Sequence, residues 1–391
     1  MKSYDVVIVG GAAHGASLAY HLAAAPDFSG TVLLIEKDPT FQFAATALSA
    51  SSIRQQFSSP VNIAISLAGI RFLRSVGETL AVDDERPDIG LREGGYLFLA
   101  TGAGAVTLAR NHALQTDMGA DILHLDRAAL TERFPYVAGD DIVAGAWGRS
   151  GEGWFDGYTL MQALRRKAIA LGVETLTGEV AAVERDGDRA TGVRLADGTF
   201  IGAGAVALAA GTGTASLAQR AGVVLPVEAR KRYVFAFACR TPLPGFPLLI
   251  DPSGAYVRPE GELYICGMSP PENEDRPAAD FDVDHAFFEE HVWPVLAARV
   301  PAFEAIKPGR AWAGHYDFNT FDQNAIVGPL PGFSNLLVAT GFSGHGLQQA
   351  PAVGRGLSEL IVHGGYRSLD LTPLGADRIA ENRPLIEENV V

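Results

Sequence analysis

Tyr4-Asp5-Val6-Val7-Ile8-Val9-Gly10-Gly11-Ala12-Ala13-His14-Gly15 decides how this chain begins to fold. Val6 to Val9 is an unbroken apolar run rich in β-branched side chains, as a strand covered on both faces requires. The glycines end that strand, and the Ala/Leu-rich stretch Ala16 to Ala25 reads as a helix closed by Pro26. Thr31 to Ile35 is a second buried strand, ending at Glu36. Strand, glycine turn, helix and strand make the first unit of a doubly wound sheet. Gly10 and Gly15 occupy the first and third glycine positions of a dinucleotide-binding turn. The second position is Ala12, followed by Ala13, and the Ala12 methyl narrows the closest approach to a diphosphate. The helix start offers free N–H groups and a positive dipole end to such a group. Glu36 stands 36 − 15 = 21 residues past Gly15, with Lys37 beside it. A carboxylate there suits ribose hydroxyls and repels a 2′-phosphate.

Further along, Gly95 to Leu99 reads as a strand, Thr107 to Met118 as a helix, and Leu160 to Leu171 as an amphipathic helix with Arg165-Arg166-Lys167 on its basic face. Val180 to Arg185 and Ala190 to Leu195 flank a turn at Gly187. Ala205 to Gly211 is a strand of small residues. Arg230 to Cys239, Ala255 to Arg258 and Leu263 to Gly267 read as antiparallel strands of a second, sheet-rich domain. Residues 270–284 are rich in Pro, Glu and Asp and read as an exposed loop. Asn335 to Gly341 is a strand that runs through Phe342-Ser343-Gly344-His345-Gly346 into a helix from about Gln348 to His363.

Nicotinamide and flavin enzymes share the first turn, so it does not choose between them. Two later features favour FAD. The strand ending at Ala210-Gly211 returns the chain to the nucleotide. The joint from Gly341 to Gln349 aims a second helix N-terminus, where it would stabilise negative charge on a reduced flavin. A nicotinamide dehydrogenase has no use for that second joint.

With 391 residues the chain is long enough for two domains. The net charge of −14 with no Lys/Arg block argues against nucleic acid or an anionic membrane as partner. The most apolar later stretch, Gly202 to Ala218, is too punctuated by glycine for a transmembrane segment. Cys239 and Cys266 are isolated, make neither a disulfide framework nor a zinc site, and read as two buried thiols of a reducing compartment. No targeting segment precedes the first strand, so a cytoplasmic location is expected. No grouping of His, Cys and Asp has metal-ligand spacing, so no metal is expected.

Four segments carry a family resemblance over nearly the whole chain: Ser52-Ile53-Arg54-Gln55-Gln56-Phe57, Trp312 to Asp317, Asn319 to Asn324, and Gly341 to Gly354. The chain resembles the D-amino-acid oxidase, glycine oxidase and sarcosine oxidase family of FAD enzymes. Within it, the chain looks most like the FAD-dependent mitochondrial complex I assembly factor and its bacterial relatives. The resemblance implies a Rossmann-like α/β FAD-binding domain of glutathione-reductase type with an inserted antiparallel-sheet substrate domain. The expected division is 1–90, 150–225 and 320–391 for the first and 91–149 and 226–319 for the second. It also implies that Thr46, Ser49, Ser51 and Ser52 line the phosphate and flavin, that Val180 meets the adenine, and that Gly344, His345, Gly346, Leu347 and Gln348 border the flavin edge.

The sequence departs from that pattern in three places. Gly314 replaces the cysteine that tethers flavin in monomeric sarcosine oxidases, so FAD is expected to be non-covalent. No lysine lies between Lys231 and Lys307, where those enzymes carry one that activates oxygen, so a slow reaction with oxygen is expected, with the electron acceptor either oxygen or a quinone or other carrier. Tyr316 replaces the carboxylate-binding arginine of glycine oxidases.

A small amino-acid-like substrate needs a cation for its carboxylate, and Arg54 is the candidate, since a guanidinium grips a carboxylate with two hydrogen bonds. The competing reading of Arg54 is a structural arginine on carbonyls or a flavin phosphate. Tyr256 is a candidate wall and hydroxyl donor, Tyr316 a second hydroxyl, and His345 acts through backbone or imidazole. Lys231-Arg232 reads as a solvated strand end and Asp83-Asp84-Glu85 as a surface loop. The expected reaction is oxidation of a C–N bond by hydride transfer to flavin N5, giving an imine that water hydrolyses. The alternative is a flavin-containing assembly or binding protein for a respiratory complex. The sequence allows a homo-oligomer.

Overall fold

The computed structural model describes residues 2–388. Its first sheet has eight strands and is built outward from Ser3–Val9. That strand lies between Phe200–Leu208 and Val32–Glu36, parallel to both, with Val6 opposite Ala205 on one side and Val32 on the other. Glu174–Thr177 continues the sheet in parallel at one edge. Leu336–Thr340 extends it in parallel past Phe200–Leu208, and Ile326–Pro329 closes that side antiparallel. The hairpin Val180–Asp186/Arg189–Leu195 also hangs on Phe200–Leu208. Alternate residues of the first strand go to opposite faces. Val6 and Ile8 pack with Leu18, Leu22 and Leu164, while Val7 and Val9 pack with Val193 and Val206. Both faces are covered, which is why the sequence shows a run rather than an alternation.

Three helices cover the first of these faces: Ala13–Ala24, Gly157–Ala170 and the C-terminal Gly346–His363. A Cβ on Gly354 would fall 2.2 Å from Ser17 Oγ, so only glycine lets the first and last of them approach so closely. The first helix starts at Ala13, earlier than Ala16, and the last at Gly346 rather than Gln348; both begin inside their glycine loops. The strand expected to reach Gly211 ends at Leu208, and Gly211–Gly213 is a 3₁₀ turn.

The second sheet also has eight strands, ordered Ile306–Asn319, Val227–Cys239, Leu263–Gly267, Tyr256–Glu260, Leu248–Ile250, Tyr96–Thr101, Ile142–Gly148 and Ile122–Asp126. All its pairs are antiparallel except Leu248–Ile250 with Tyr96–Thr101. One face, through Phe235, Phe237 and Cys266, packs on Phe288, Val292, Leu296 and Phe303. The other carries Val234, Ala236 and Ile265 against Ala50 and Trp312. A two-stranded piece, Ser52–Ile53 with Gly153–Trp154, leads into the segment that carries Arg54. The 20-residue helix Pro60–Thr79 follows, with proline in its first turn. Among the described residues no helix is long and apolar enough to cross a membrane. Cys266 is buried as expected, whereas Cys239, at the end of its strand, is only half-buried.

Candidate functional site

A cavity of about 720 Å³ lies between the two sheets. At its outer end the glycine turn behaves as the sequence requires. Gly10 has φ +100°, and a Cβ there would sit 2.3 Å from the Ala209 carbonyl oxygen. A Cβ on Gly15 would sit 1.8 Å from the Gly10 carbonyl oxygen, so that glycine lets the helix pack down on the strand. Ala12 is the N-cap residue in ordinary extended backbone, where a methyl group is accommodated. No side chain caps this helix and no acidic residue sits in its first turn, so its positive end is free toward the cavity. Glu36 faces the same space. One of its carboxylate oxygens accepts from Gly11 N–H at 2.7 Å and the other from Asp38 N–H at 2.9 Å.

Ala13, Lys37, Thr46, Ser49, Ser51, Ser52, Val180, Ala210 and Gly211 line the same cavity. Gly344, His345, Gly346, Leu347 and Gln348 line the inner end, at the N-terminus of the helix Gly346–His363, which also lacks a side-chain cap and a first-turn acid. Gly341 does not line the cavity. It has φ +73° and donates its N–H to Asp317 Oδ2 at 2.8 Å, a structural role in the same loop. Burial raises the Asp317 carboxyl to about 6 against the lowering effect of the Phe342 and Gly341 N–H groups. Two uncapped helix N-termini and a fixed carboxylate at the end of the second strand are the donor set that an adenine dinucleotide carrying flavin needs. The residues present therefore fit FAD. No grouping of His, Cys, Asp and Glu that could hold a metal ion occurs among the described residues.

Arg54 lines the inner end with its side chain almost wholly buried, at 4% exposure. Its backbone N–H donates to Gln348 Oε1 at 2.8 Å, and its Nη2 lies 3.0 Å from His345 Nε2. Burial, with the Arg54 charge adding to it, pushes the His345 imidazole down to about 3. His345 is thus neutral and accepts from Arg54. The guanidinium stacks 4.4 Å from the Phe57 ring centroid, and its Nη1 is buried with no partner among the described residues. Among the described residues no carboxylate is hydrogen-bonded to it. Burial lowers the Arg54 pKa from its ordinary value, as expected of a cation without an ion pair.

Tyr256 and Tyr316 line the same end. The Tyr316 ring lies under Gly344, where a Cβ would come within 2.5 Å of it. Burial raises both hydroxyls above the ordinary tyrosine value, so both are neutral donors. Tyr96, which nothing in the sequence singles out, also lines the cavity, with its hydroxyl 3.1 Å from Ser52 Oγ. Its signal was a strand tyrosine beside glycine, common in any core. Arg232 corrects the reading of a solvated strand end. It is buried at 8% exposure, lines the cavity, and is held two-pronged by Asp275 at 2.8 Å and 2.8 Å. A charged residue opening the apolar run Tyr233 to Cys239 was the available signal. The basic helix face also divides: Arg165 reaches the Gly11 carbonyl at 3.3 Å, while Arg166 pairs with Glu85 and Lys167 binds the Ala81 carbonyl. Gly314 lines the cavity and carries no nucleophile, and Arg258 lies outside the lining, donating to the Ala50 carbonyl.

Comparison with known proteins agrees with this geometry. Residues 5–360 match the sequence model of the family described as "DAO: FAD dependent oxidoreductase". The Xenopus laevis FAD-dependent oxidoreductase domain-containing protein 1 is 44% identical, over 99% of this chain and 85% of its own length. The sarcosine oxidase subunit beta of an Arthrobacter species is 28% identical, over 99% of this chain and 94% of its own. The crystal structure of L-proline dehydrogenase from P. horikoshii shares the fold, with a TM-score of 0.86 at 24% identity over 98% of this chain and 100% of that one.

Proposed function

Because the chain belongs to the DAO family of FAD-dependent oxidoreductases, we propose that it oxidises the C–N bond of a small amino acid or N-methyl amino acid. Bound FAD supplies the hydride acceptor. Gly10, Ala12, Ala13, Glu36, Lys37 and Val180 would hold its adenylate half, and Thr46, Ser49, Ser51, Ser52, Ala210 and Gly211 its middle. Residues Gly344 to Gln348 would border the flavin, without a covalent tether because position 314 is glycine. The two sheets would correspond to an FAD domain and a substrate domain divided as the sequence implies.

The observation that carries the reading is the buried, unpaired guanidinium of Arg54 at the cavity wall. A cation without an ion pair in a dry site is costly unless something anionic visits it. The free Nη1, with the remaining hydrogen of Nη2, can grip a carboxylate while His345 fixes the plane of the guanidinium by accepting from Nη2. The hydroxyls of Tyr256 and Tyr316, neutral and buried, donate to the same carboxylate and wall the substrate in. His345 is too weakly basic to take a proton, so the substrate amine must arrive or become neutral without it. A relative named for sarcosine, an N-methyl amino acid, supports the substrate class. The test is an anaerobic screen of amino acids and N-methyl amino acids against the purified yellow protein. Bleaching of the flavin by members of this set supports the reading, and bleaching only by compounds without a carboxylate contradicts it.

A further inference from the structure

Arg54 Nη1 has no partner among the described residues, whereas the residues around Arg54 are held. The segment from Ser52 to Ser59 is polar and buried, and two acids from distant parts of the chain hold it by its backbone. Glu152, fully buried, accepts from the N–H groups of Gln55 and Gln56, the latter at 3.2 Å, and from Gln56 Nε2 at 2.7 Å. A Cβ on Gly148 would fall 1.7 Å from Glu152 Oε2, so the strand behind leaves room for this carboxylate only because it carries glycine there. Glu387 accepts from Ser58 Oγ at 2.8 Å and Asn62 Nδ2 at 2.6 Å, and also from Ser58 N–H. Both acids act on Arg54 through space, yet neither is hydrogen-bonded to it.

We propose that Glu152 is a positioning residue for the carboxylate grip: it fixes the Arg54 segment by its N–H groups and adjusts its own protonation to the charge that Arg54 binds. This rests on the reading that Arg54 takes a substrate carboxylate. A buried arginine, one ionised acid and an incoming carboxylate leave no room for a second ionised acid. Burial raises the Glu152 carboxyl to about 7, against the lowering effects of its Gln56 and Gln55 hydrogen bonds and of Arg54. Arg54 and Tyr96 are the titratable groups that face it. Beyond Gly151, Glu93 is held below its ordinary range by Arg74.

The sign follows from linkage. A carboxylate on Arg54 raises the Glu152 pKa further, so binding takes up a proton, and affinity is highest where Glu152 is already protonated. Carboxylate affinity should therefore fall as pH rises through about 7. Glutamine keeps the Oε1 acceptor for both backbone N–H groups and, like the protonated acid, puts a donor at the Oε2 position, which the Gln56 amide meets by turning its own oxygen toward it. Alanine leaves them unpaired.

The experiment titrates the holoenzyme with benzoate, which stays ionised across the range, and reads the change in flavin absorbance. In the wild type the dissociation constant should rise on the order of tenfold from about pH 6 to about pH 8.5. Glu152→Gln should bind tightly and equally at both ends of that range, with normal FAD content, while Glu152→Ala should bind at least about tenfold more weakly throughout. A Glu152→Gln protein that keeps the wild-type slope would overturn the proposal, as would a Glu152→Ala protein that binds like wild type. If Glu152→Ala loses FAD, the slope of Glu152→Gln alone decides. Arg54→Met separates the two readings. If wild type fails to bind benzoate, or Arg54→Met binds it as wild type does, the carboxylate site itself is refuted. Loss of binding in Arg54→Met with an unchanged slope in Glu152→Gln refutes only the role of Glu152.

Discussion

Replacing Arg54 by Met should separate function from stability. The guanidinium has one anchored nitrogen, on His345 at 3.0 Å, and one unpartnered nitrogen, so it meets a substrate carboxylate with part of its donor set already committed. Removing one partner of a buried charge pair costs about 3–5 kcal/mol. The shared Nη2 places this case near the lower end, about 3 kcal/mol, or roughly a hundredfold in kcat/KM. Stability should move the other way. Arg54 is 4% exposed with no carboxylate hydrogen-bonded to it among the described residues, so an apolar side chain of similar length removes an uncompensated charge. The gain should be roughly 1 kcal/mol or more. The assay pairs steady-state kinetics per bound flavin, with the best substrate from the anaerobic screen, with thermal unfolding of the same holoenzyme. A variant with normal kcat/KM per flavin, or one that melts well below wild type, would show that Arg54 is a structural or cofactor-binding arginine.

Three further outcomes follow from the geometry. Gly10→Ala should lower bound FAD at least about tenfold, because the new Cβ meets the Ala209 carbonyl oxygen at 2.3 Å in a backbone of φ +100°; the flavin-to-protein absorbance ratio measures it, and a normal ratio would refute the fit of the turn. Acid precipitation should release the yellow colour into solution, since Gly314 offers no tether; colour kept in the pellet would show a covalent link elsewhere. Asp322→Ala should destabilise the fold by about 3–5 kcal/mol, as its carboxylate, fully buried, takes Arg378 Nε at 2.8 Å, Asn319 Nδ2 at 2.8 Å and Leu385 N–H at 3.0 Å. Denaturant midpoints of variant and wild type check this, and a shift under about 1 kcal/mol would contradict it.

What the sequence made legible was local. Val6 to Val9 forms the buried strand, the glycines at 10 and 15 make the close approaches of one βαβ unit, and Leu263–Gly267 forms the strand its large side chains indicate. Of the residues expected to surround the cofactor, only Gly341 stands outside the cavity lining. The helix Pro60–Thr79 has a proline start and an apolar stripe, a weaker signal than the glycine turns on either side of it in the chain. The unread part of the site depends on partners far apart in the chain. Glu152 lies 97 residues from Gln55, and Glu387 lies 329 residues from Ser58. Nothing near Gln55 or Ser58 announces that the segment is buried and held. Arg232 departs from a solvated strand end because the strand starts five residues earlier, at Val227, and because Asp275 returns from the loop at 270–284 to clamp it.

The central claim, that the buried Arg54 selects a carboxylate-bearing amine for oxidation, is tested most directly by matched pairs. Each amino acid or N-methyl amino acid that bleaches the flavin anaerobically is compared with the same amine carrying an alcohol in place of its carboxylate. The account predicts that the acids reduce the flavin, with one carbonyl product per flavin, and that the alcohols do so at least about a hundredfold more slowly. Equal rates within the pairs, or a flavin that dithionite bleaches but no amino acid does, would contradict it.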